Sequence, residues 1–259
     1  MSAHAQEIDF LASVTHDLKS PLNAMLGFIE LLKMDISSGA ADRETVLHHL
    51  ATAEEVGHDM LKLINNMLTS ARIQAGRETA YPFLLMHSEL AGSLRSIEHT
   101  FHNEARAKNV VFSITMGRLP KYVYWDLQKI RFFAINNLVS NALKFVGHGG
   151  EVRVTAEDDG SGNVLIQVAD NGPGIPEAER KVIFGKYVQA SNNPRNFQGN
   201  GFGLYNANQT IIMHHGHIEV TDGLNGRGVG FRMKIPAVPF ELDEFSRFAL
   251  GEMRTATAR

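Results

Sequence analysis

Hydrophobic residues in the first part of the chain recur every three or four positions, which is the spacing of one helical face. Between Phe10 and Ile36 this spacing predicts a long amphipathic helix. After the polar stretch SSGAAD, apolar positions from Val46 to Ala71 step alternately by four and three, which predicts a second long helix with a heptad seam. A single pair of such helices leaves much of both apolar stripes uncovered. The pattern therefore predicts an all-α helical hairpin that dimerises into a four-helix bundle.

After Tyr81 the pattern changes to short β-rich runs and helical runs. The β-rich runs are Val110 to Met116, Tyr122 to Trp125, Glu151 to Glu157, Val164 to Ala169, His217 to Thr221 and Val229 to Ile235. The helical runs are Ser88 to Ala107, Leu127 to Phe145 and Leu204 to His214. This order predicts an α+β sandwich in which helices cover one face of one sheet.

The changes of pattern divide the chain into four parts. Residues 1–76 form the predicted hairpin, 77–81 a linker, 82–238 the mixed domain, and 239–259 a tail to which we assign no role. Within the mixed domain, the stretch from Gln189 to Gly203 is rich in Asn and Gly and is predicted to be a mobile loop.

Composition narrows the possible functions. The chain has 259 residues, 44% of them hydrophobic, which is enough for one or two folded domains. Its net charge of −3 argues against general nucleic-acid binding, and the lack of cysteine excludes disulfides, Cys-ligated zinc and a thiolate nucleophile. No apolar run approaches the roughly 18 residues of a membrane span, and the N-terminus lacks signal-peptide features, so we expect a cytoplasmic protein without a membrane segment.

His16 is the first candidate for chemistry. At 100° per residue it points away from the apolar stripe of the first helix, with Asp17 beside it and Ser20 one turn later. An imidazole is a competent nucleophile when a neighbouring carboxylate takes or orients its second proton. The alternative is a solvated surface histidine beside a structural proline, Pro21.

Asn137, Asn141 and Lys144 are spaced four and three apart, so they project from one face of a mostly apolar helix. Amide oxygens can complete a magnesium shell, and a lysine can neutralise a phosphate. The alternative is a polar helix edge that faces solvent.

Two glycine-containing strings follow. Asp170 begins the string DNGPGIP directly after a β-rich run, where a carboxylate can accept a hydrogen bond from an exocyclic amine and glycines admit a flat ligand. The string could equally be a hairpin turn. The string GNGFGL, residues 199–204, leads into a helix whose free N–H groups can hold phosphate oxygens. It does not follow a strand, so a dinucleotide-binding fingerprint is rejected.

In this order the strings resemble the sensor histidine kinases of two-component signalling, from about residue 7 to 237. FLASVTHDLKSPLNAML resembles the H box, NNLVSNALKF the N box, DNGPGIP the G1 box, IFGKYVQ the F box and GNGFGL the G2 box. The resemblance implies a dimerisation and phosphoacceptor hairpin followed by an ATP-binding domain of the Bergerat type, shared with gyrase-like ATPases. It also implies Mg²⁺ as cofactor, a response regulator receiver domain as partner, and a sensor domain or sensor protein outside this chain.

The resemblance assigns roles by matching position. In the hairpin, His16 would be the phosphoacceptor, Asp17 its base, and Ser20 the residue that positions water for dephosphorylating the regulator. In the ATP-binding domain, Asn141 would be the main magnesium ligand with Asn137 close by, Lys144 would contact phosphate, and Asp170 would bind the adenine amine. The remaining implied ATP-binding residues are Phe145, Gly172, Gly174, Ile175, Tyr187, Gly199, Asn200, Gly201, Phe202, Gly203 and Leu204. Phe184 and Tyr187 would anchor a lid formed by Gln189 to Gln198.

Four positions depart from the family pattern. Ser20 stands where Thr or Asn is usual, which predicts weak phosphatase activity. Phe145 replaces a frequent tyrosine, Asn200 stands at a common Thr or Ser, and His215 interrupts the usual HGG string that His214 begins. None of these changes removes a catalytic group.

The sequence thus favours an ATP-dependent protein-histidine kinase that phosphorylates His16 and passes the phosphoryl group to an aspartate of a response regulator. The alternative is a catalytically inactive phosphotransfer or scaffold protein with a degenerate ATP-binding domain, against which the intact N, G1 and G2 strings argue. A mechanical ATPase of the same superfamily would leave the setting of His16 unexplained.

Overall fold

The computed structural model describes residues 3–39, 42–192 and 201–238, without the side chains of residues 3–14, 16 and 17. The predicted tail and most of the predicted lid lie outside these residues. The chain divides into two compact units, one ending at Gln74 and the other beginning at Ala75. No helix in the described ranges combines the length and the apolar character that a bilayer crossing requires.

The first unit contains two long helices, α1 (Ala3–Ser38) and α2 (Arg43–Gln74), as the periodicity predicts. They pair side by side, so that a Cβ on Gly57 would lie 3.6 Å from Sδ of Met25. Leu32, Ala53 and Leu63 are buried between them.

The line of contact on α2 differs from the predicted seam. Leu50 and Ala71 belong to that seam but are exposed, whereas Leu63 and Ser70 are buried. The apolar stripe of α2 is wider than one partner helix can cover, so the hairpin buries one side of it. The other side, which we call the leucine face, consists of half-exposed residues: Leu47, Leu50, Leu61 and Leu68.

The second unit is a mixed α and β domain. Its strands are β1 (Phe83–Met86), β2 (Val111–Met116), β3 (Tyr122–Trp125), β4 (Glu151–Asp158), β5 (Asn163–Asp170), β6 (His217–Asp222) and β7 (Val229–Pro236). Its helices are α3 (His87–Ala107), α4 (Leu127–Lys129), a π-helical segment (Ile130–Ile135), α5 (Asn136–Phe145) and α6 (Gly203–Met213), with short 3₁₀ turns at Glu177–Glu179 and Leu224–Gly226.

Five strands form the main sheet in the order β2-β4-β5-β7-β6, with β2 parallel to β4 and the other pairs antiparallel. Buried residues alternate with more accessible ones along β4 and along the first part of β5, and the register places Val154 opposite Val168. One face of the sheet is therefore apolar, and α3, α5 and α6 pack in a common core with it. The predicted α+β sandwich is confirmed.

The single predicted sheet needs a correction. Tyr122–Trp125 does not join the main sheet but pairs with β1, a strand that the sequence did not indicate, in a separate two-stranded sheet. β1 has only four residues and no alternation of polar and apolar side chains, so it carries no strand signal. The indole of Trp125 still reaches β7, where it donates to the carbonyl of Pro236 at 2.7 Å.

The long helix predicted from Leu127 to Phe145 also differs, because a π-helical segment interrupts it. The N–H of Asn136 donates to the carbonyl of Arg131, five residues earlier. Such wider turns occur mostly at functional sites, and this one ends where the pair Asn137 and Asn141 begins.

Candidate functional site

Asp170 closes strand β5 and is buried, with 3% of its surface exposed. Its Oδ1 accepts a hydrogen bond from the N–H of Gly172 at 2.8 Å, and the backbone N–H of Val229 also faces the carboxyl. Burial raises the pKa of Asp170 above its ordinary value, and the two N–H donors offset part of that effect. A buried carboxylate held by backbone donors at a strand end is suited to accept a further hydrogen bond from a ligand.

Glycines bring two loops into backbone contact beside Asp170. Gly174 has φ +75°, and a Cβ there would lie 2.9 Å from the carbonyl oxygen of Gly228. A Cβ on Gly228 would lie 2.1 Å from the carbonyl oxygen of Asp170. Gly228 was not among the predicted site residues, although the glycine-rich string GLNGRGVG, which contains the 3₁₀ turn Leu224–Gly226, carried the signal. The loop after β5 is thus fixed against the start of β7.

Two of the predicted binding side chains pack inward. Ile175, which follows Gly174, and Leu204, which follows Gly203, are partly buried against the main core. The guanidinium of Arg180 holds the loop from outside, since its Nε donates to the carbonyl of Ile175 at 3.4 Å and its Nη2 pairs with Asp222 at 2.8 Å. Ile175 therefore lies in a fixed wall next to the buried carboxylate.

Asn137 and Asn141 of helix α5 lie next to each other, close to the first residue of α6. A Cβ on Gly203 would be 3.8 Å from Nδ2 of Asn141 and 3.9 Å from Cβ of Asn137. The amide nitrogen of Asn137 donates to the carbonyl of Phe133 in the π-helical segment at 2.8 Å. The structure therefore brings the polar pair of the N string next to Gly203, the last glycine of the G2 string.

Lys144 and Phe145 lie at the end of α5, both partly buried. The Nζ of Lys144 is 5.5 Å from the ring centre of Phe145, within the range of a cation–π contact. The carbonyl of Phe145 faces Gly172, because a Cβ there would approach it to 3.3 Å. This end of α5 thus adjoins the loop that follows Asp170.

Tyr187 and Phe202, which flank the predicted lid in the sequence, contact each other. Their rings meet edge to face at 5.1 Å, and the N–H of Tyr187 donates to the carbonyl of Gly201 at 3.2 Å. Gly201 has φ +65°, and a Cβ there would lie 2.5 Å from Cα of Tyr187, so only glycine fits. Phe184, further back, packs edge to face on Phe231 of the core at 6.2 Å.

Several predicted site residues fall outside this geometry. His16 and Asp17 lie on the backbone of α1, but their side chains are outside the described residues, as are Gly199 and Asn200. Ser20 is exposed on α1.

The chain resembles known domains over most of its length. Residues 6–76 match the family model of the His Kinase A (phospho-acceptor) domain. Residues 130–239 match the model of the histidine kinase-, DNA gyrase B-, and HSP90-like ATPase.

Individual relatives agree with these matches. An uncharacterized sensor-like histidine kinase of Rhizobium meliloti is 30% identical over 238 residues, which are 91% of this chain and 44% of the relative. The chain thus spans less than half the length of this curated relative.

Two solved structures extend the likeness to the fold. Full-length ShkA in complex with AMPPNP is 28% identical with a TM-score of 0.61, over 87% of this chain and 45% of that one. Histidine kinase ThkA in complex with the response regulator protein TrrA shares the fold at 23% identity with a TM-score of 0.63, over 90% of this chain and 63% of that one.

Proposed function

Since the chain belongs to the sensor histidine kinase family, we propose that it binds ATP with Mg²⁺, phosphorylates His16 and passes the phosphoryl group to an aspartate of a response regulator. The observation that carries the proposal is the meeting of Asn137, Asn141 and Gly203 beside the buried Asp170 loop. The N, G1 and G2 strings contribute to this one region, as an active nucleotide site requires and a degenerate scaffold does not.

In the proposed site, the carboxylate of Asp170 accepts a hydrogen bond from the exocyclic amine of adenine. The glycine-fixed wall around Gly174 admits the flat base. The N-terminus of α6, which begins at Gly203, would offer its first backbone N–H groups to phosphate oxygens, and the ammonium of Lys144 would balance their charge. Phe184 and Tyr187 would anchor the lid.

Asn137 and Asn141 fit a magnesium ion through their amide oxygens. The nitrogen of Asn137 is already engaged by the carbonyl of Phe133, so its oxygen is the atom left for a ligand. When bound, the ion supplies charge compensation for the phosphates. The two asparagines would determine the position of the ion relative to the N-terminus of α6.

The transfer step follows from the chemistry of imidazole. A ring nitrogen of His16 attacks the γ-phosphorus in line, a nitrogen–phosphorus bond forms, and the bond to the β–γ bridging oxygen breaks. Asp17 takes or orients the proton of the other ring nitrogen, and ADP leaves. The phosphoryl group then moves to a carboxylate of the receiver domain, which regenerates His16.

The leucine face supports dimerisation through the hairpin. Leu47, Leu50, Leu61 and Leu68 each keep half or more of their surface exposed in the single chain. A second copy of the hairpin would cover this face in a four-helix bundle. We place the reaction in the cytoplasm, where ATP and receiver domains are available.

Incubation with γ-labelled ATP and Mg²⁺ tests the proposal. We expect label on the protein that is acid-labile and base-stable, as phosphohistidine is, and that is lost when a chelator removes the metal. A purified receiver domain should then take up the label. Protein that binds ATP but acquires no label would support the inactive scaffold instead.

A further inference from the structure

His214, at the end of α6, uses both ring nitrogens inside the ATP-binding domain. It is 3% exposed. Its Nε2 accepts from the backbone N–H of Asp126 at 3.0 Å, and its Nδ1 lies 2.7 Å from the carbonyl of Thr210. The two partners require a neutral ring with the proton on Nδ1. The sequence pattern places His214 at the end of a helical run and assigns it no role.

Asp126, the partner of His214, also holds the segment that leaves the hairpin. One carboxyl oxygen accepts from the N–H of Lys129 and caps α4, and the other accepts from the N–H of Tyr81, both at 3.1 Å. The ammonium of Lys129 pairs with Glu78, and the exposed fractions of the two side chains are only 16% and 10%. Glu78 and Tyr81 are therefore fixed to the ATP-binding domain at two points.

Helix α6 joins this anchor to the proposed nucleotide site. It has 11 residues, so it spans about 16 Å as a rigid element. Its first residue, Gly203, lies against Asn137 and Asn141, and His214 directly follows its last residue. One end of the helix thus faces the proposed phosphates, while the other end is tied to the linker segment.

We propose that His214 is a positioning residue that ties the linker segment Glu78–Tyr81 to helix α6, so that linker docking and nucleotide binding favour each other. The proposal rests on the nucleotide site described above. By linkage, if nucleotide stabilises the docked linker, the docked linker strengthens nucleotide binding by the same factor.

Two substitutions separate the hydrogen bonds of His214. Gln places an amide oxygen near the position of Nε2, so His214→Gln keeps the acceptor for the Asp126 N–H. Asn places an amide nitrogen near the position of Nδ1, so His214→Asn keeps the donor to Thr210 and loses the tie to Asp126. A purely structural need for a buried polar ring would affect both variants alike.

The test is amide hydrogen exchange at Tyr81, with and without saturating AMPPNP and Mg²⁺. In the unmodified chain and in His214→Gln, we expect nucleotide to slow exchange at this amide by about fivefold or more. In His214→Asn the nucleotide should still bind but leave the Tyr81 exchange rate unchanged.

A second variant tests the same link between the linker segment and helix α6 by changing the linker segment, and it does not depend on the folding of the His214 variants. Glu78→Gln removes the ion pair with Lys129 and should weaken AMPPNP binding by about two- to fivefold. Glu219→Gln, which removes an ion pair with Arg232 on the exposed face of the sheet, should leave the affinity unchanged.

The outcomes separate this proposal from the proposed function. If the unmodified chain binds AMPPNP and the amide exchange rate of Tyr81 does not change, the proposal for His214 is overturned but the proposed function is not. The same conclusion follows if AMPPNP slows Tyr81 exchange in His214→Asn as much as in the unmodified chain. Unchanged affinity in Glu78→Gln would also overturn the proposal for His214. Failure of the unmodified chain to bind AMPPNP at all would overturn both proposals.

Discussion

Replacing Asp170 by Asn should weaken nucleotide binding and remove a pH-dependent cost to the stability of the nucleotide-free fold. The carboxyl is 3% exposed and is contacted by the N–H groups of Gly172 and Val229. Burial raises the pKa of Asp170, so at neutral pH folding places a charge where water solvates it poorly. A neutral amide of the same shape avoids that penalty.

The loss in binding follows from the geometry of the turn. The asparagine oxygen is expected to keep the hydrogen bond from Gly172, which places its NH₂ group where the second carboxylate oxygen was. A donor would then face the amine of adenine. A hydrogen bond to a charged acceptor contributes about 1.5–3 kcal/mol, which corresponds to roughly a 10- to 150-fold loss of affinity for ATP.

The effect on stability has a defined pH dependence. Because the folded pKa of Asp170 is raised, its protonated form favours folding below the ordinary value of 3.8, and that contribution is lost as pH rises through the folded pKa. The denaturant midpoint of Asp170→Asn, relative to that of the unmodified chain, should therefore rise as pH increases from 3.8 to 7. Below pH 3.8 the difference between the two midpoints should stay constant.

Calorimetric titration with AMPPNP and denaturant unfolding followed by the single tryptophan, Trp125, measure the two effects. Asp158→Asn is the matched control, because Oδ1 of Asp158 accepts from the N–H of Gly160 in the same type of turn at 2.8 Å. This control should bind AMPPNP normally. Wild-type affinity in Asp170→Asn would show that the carboxylate only shapes the turn, and the assignment to adenine would be wrong.

Three other substitutions have defined expectations. Gly201→Ala should weaken nucleotide binding and cost about 1–3 kcal/mol of folding free energy, because its Cβ would overlap the backbone of Tyr187. Gly226→Ala should cost less, because Gly226 has a similar φ of +73° but open space around its Cβ position. Equal losses of stability in the two variants, measured by denaturant unfolding, would contradict this. Ser20→Thr should raise and Ser20→Ala abolish regulator dephosphorylation, with autophosphorylation little changed in both, and an unchanged rate in Ser20→Ala would exclude this role. Burial lowers the pKa of His214 from 6.5, so stability should fall as pH drops below about 6.5, and a His214→Gln variant with the same pH dependence would exclude His214 as the cause.

The sequence predicted those parts of the fold that repeat a pattern over many residues. Helix α2 and the strands of the main sheet were predicted to within a few residues because their hydrophobic periods are strong. Helix α1 was also predicted, but it begins at Ala3, ahead of the predicted start at Phe10. Strand β1 and the π-helical segment were missed for the opposite reason. A strand of four residues without alternation, such as β1, cannot be told from a loop in the sequence. The one extra residue in a π-helical turn does not visibly disturb the hydrophobic pattern of the helix.

The candidate site was predictable where one motif supplies both the residue and its neighbour. Asp170 and Gly172 are two residues apart, and Asn137 and Asn141 share a helix face, so spacing alone brought them together. Gly228 and His214 were missed because their partners, Asp170 and Asp126, are distant in sequence. Only the folded sheet and helix α6 create those contacts.

Phosphate mapping in the unmodified chain and in His16→Ala tests the central claim most directly. After incubation with γ-labelled ATP and Mg²⁺, mass spectrometry under alkaline conditions should find the phosphoryl group on His16. The His16→Ala variant should incorporate no label, although it binds AMPPNP with unchanged affinity and forms the same dimer. Label that persists in His16→Ala, or that maps to another residue of the unmodified chain, would contradict the account.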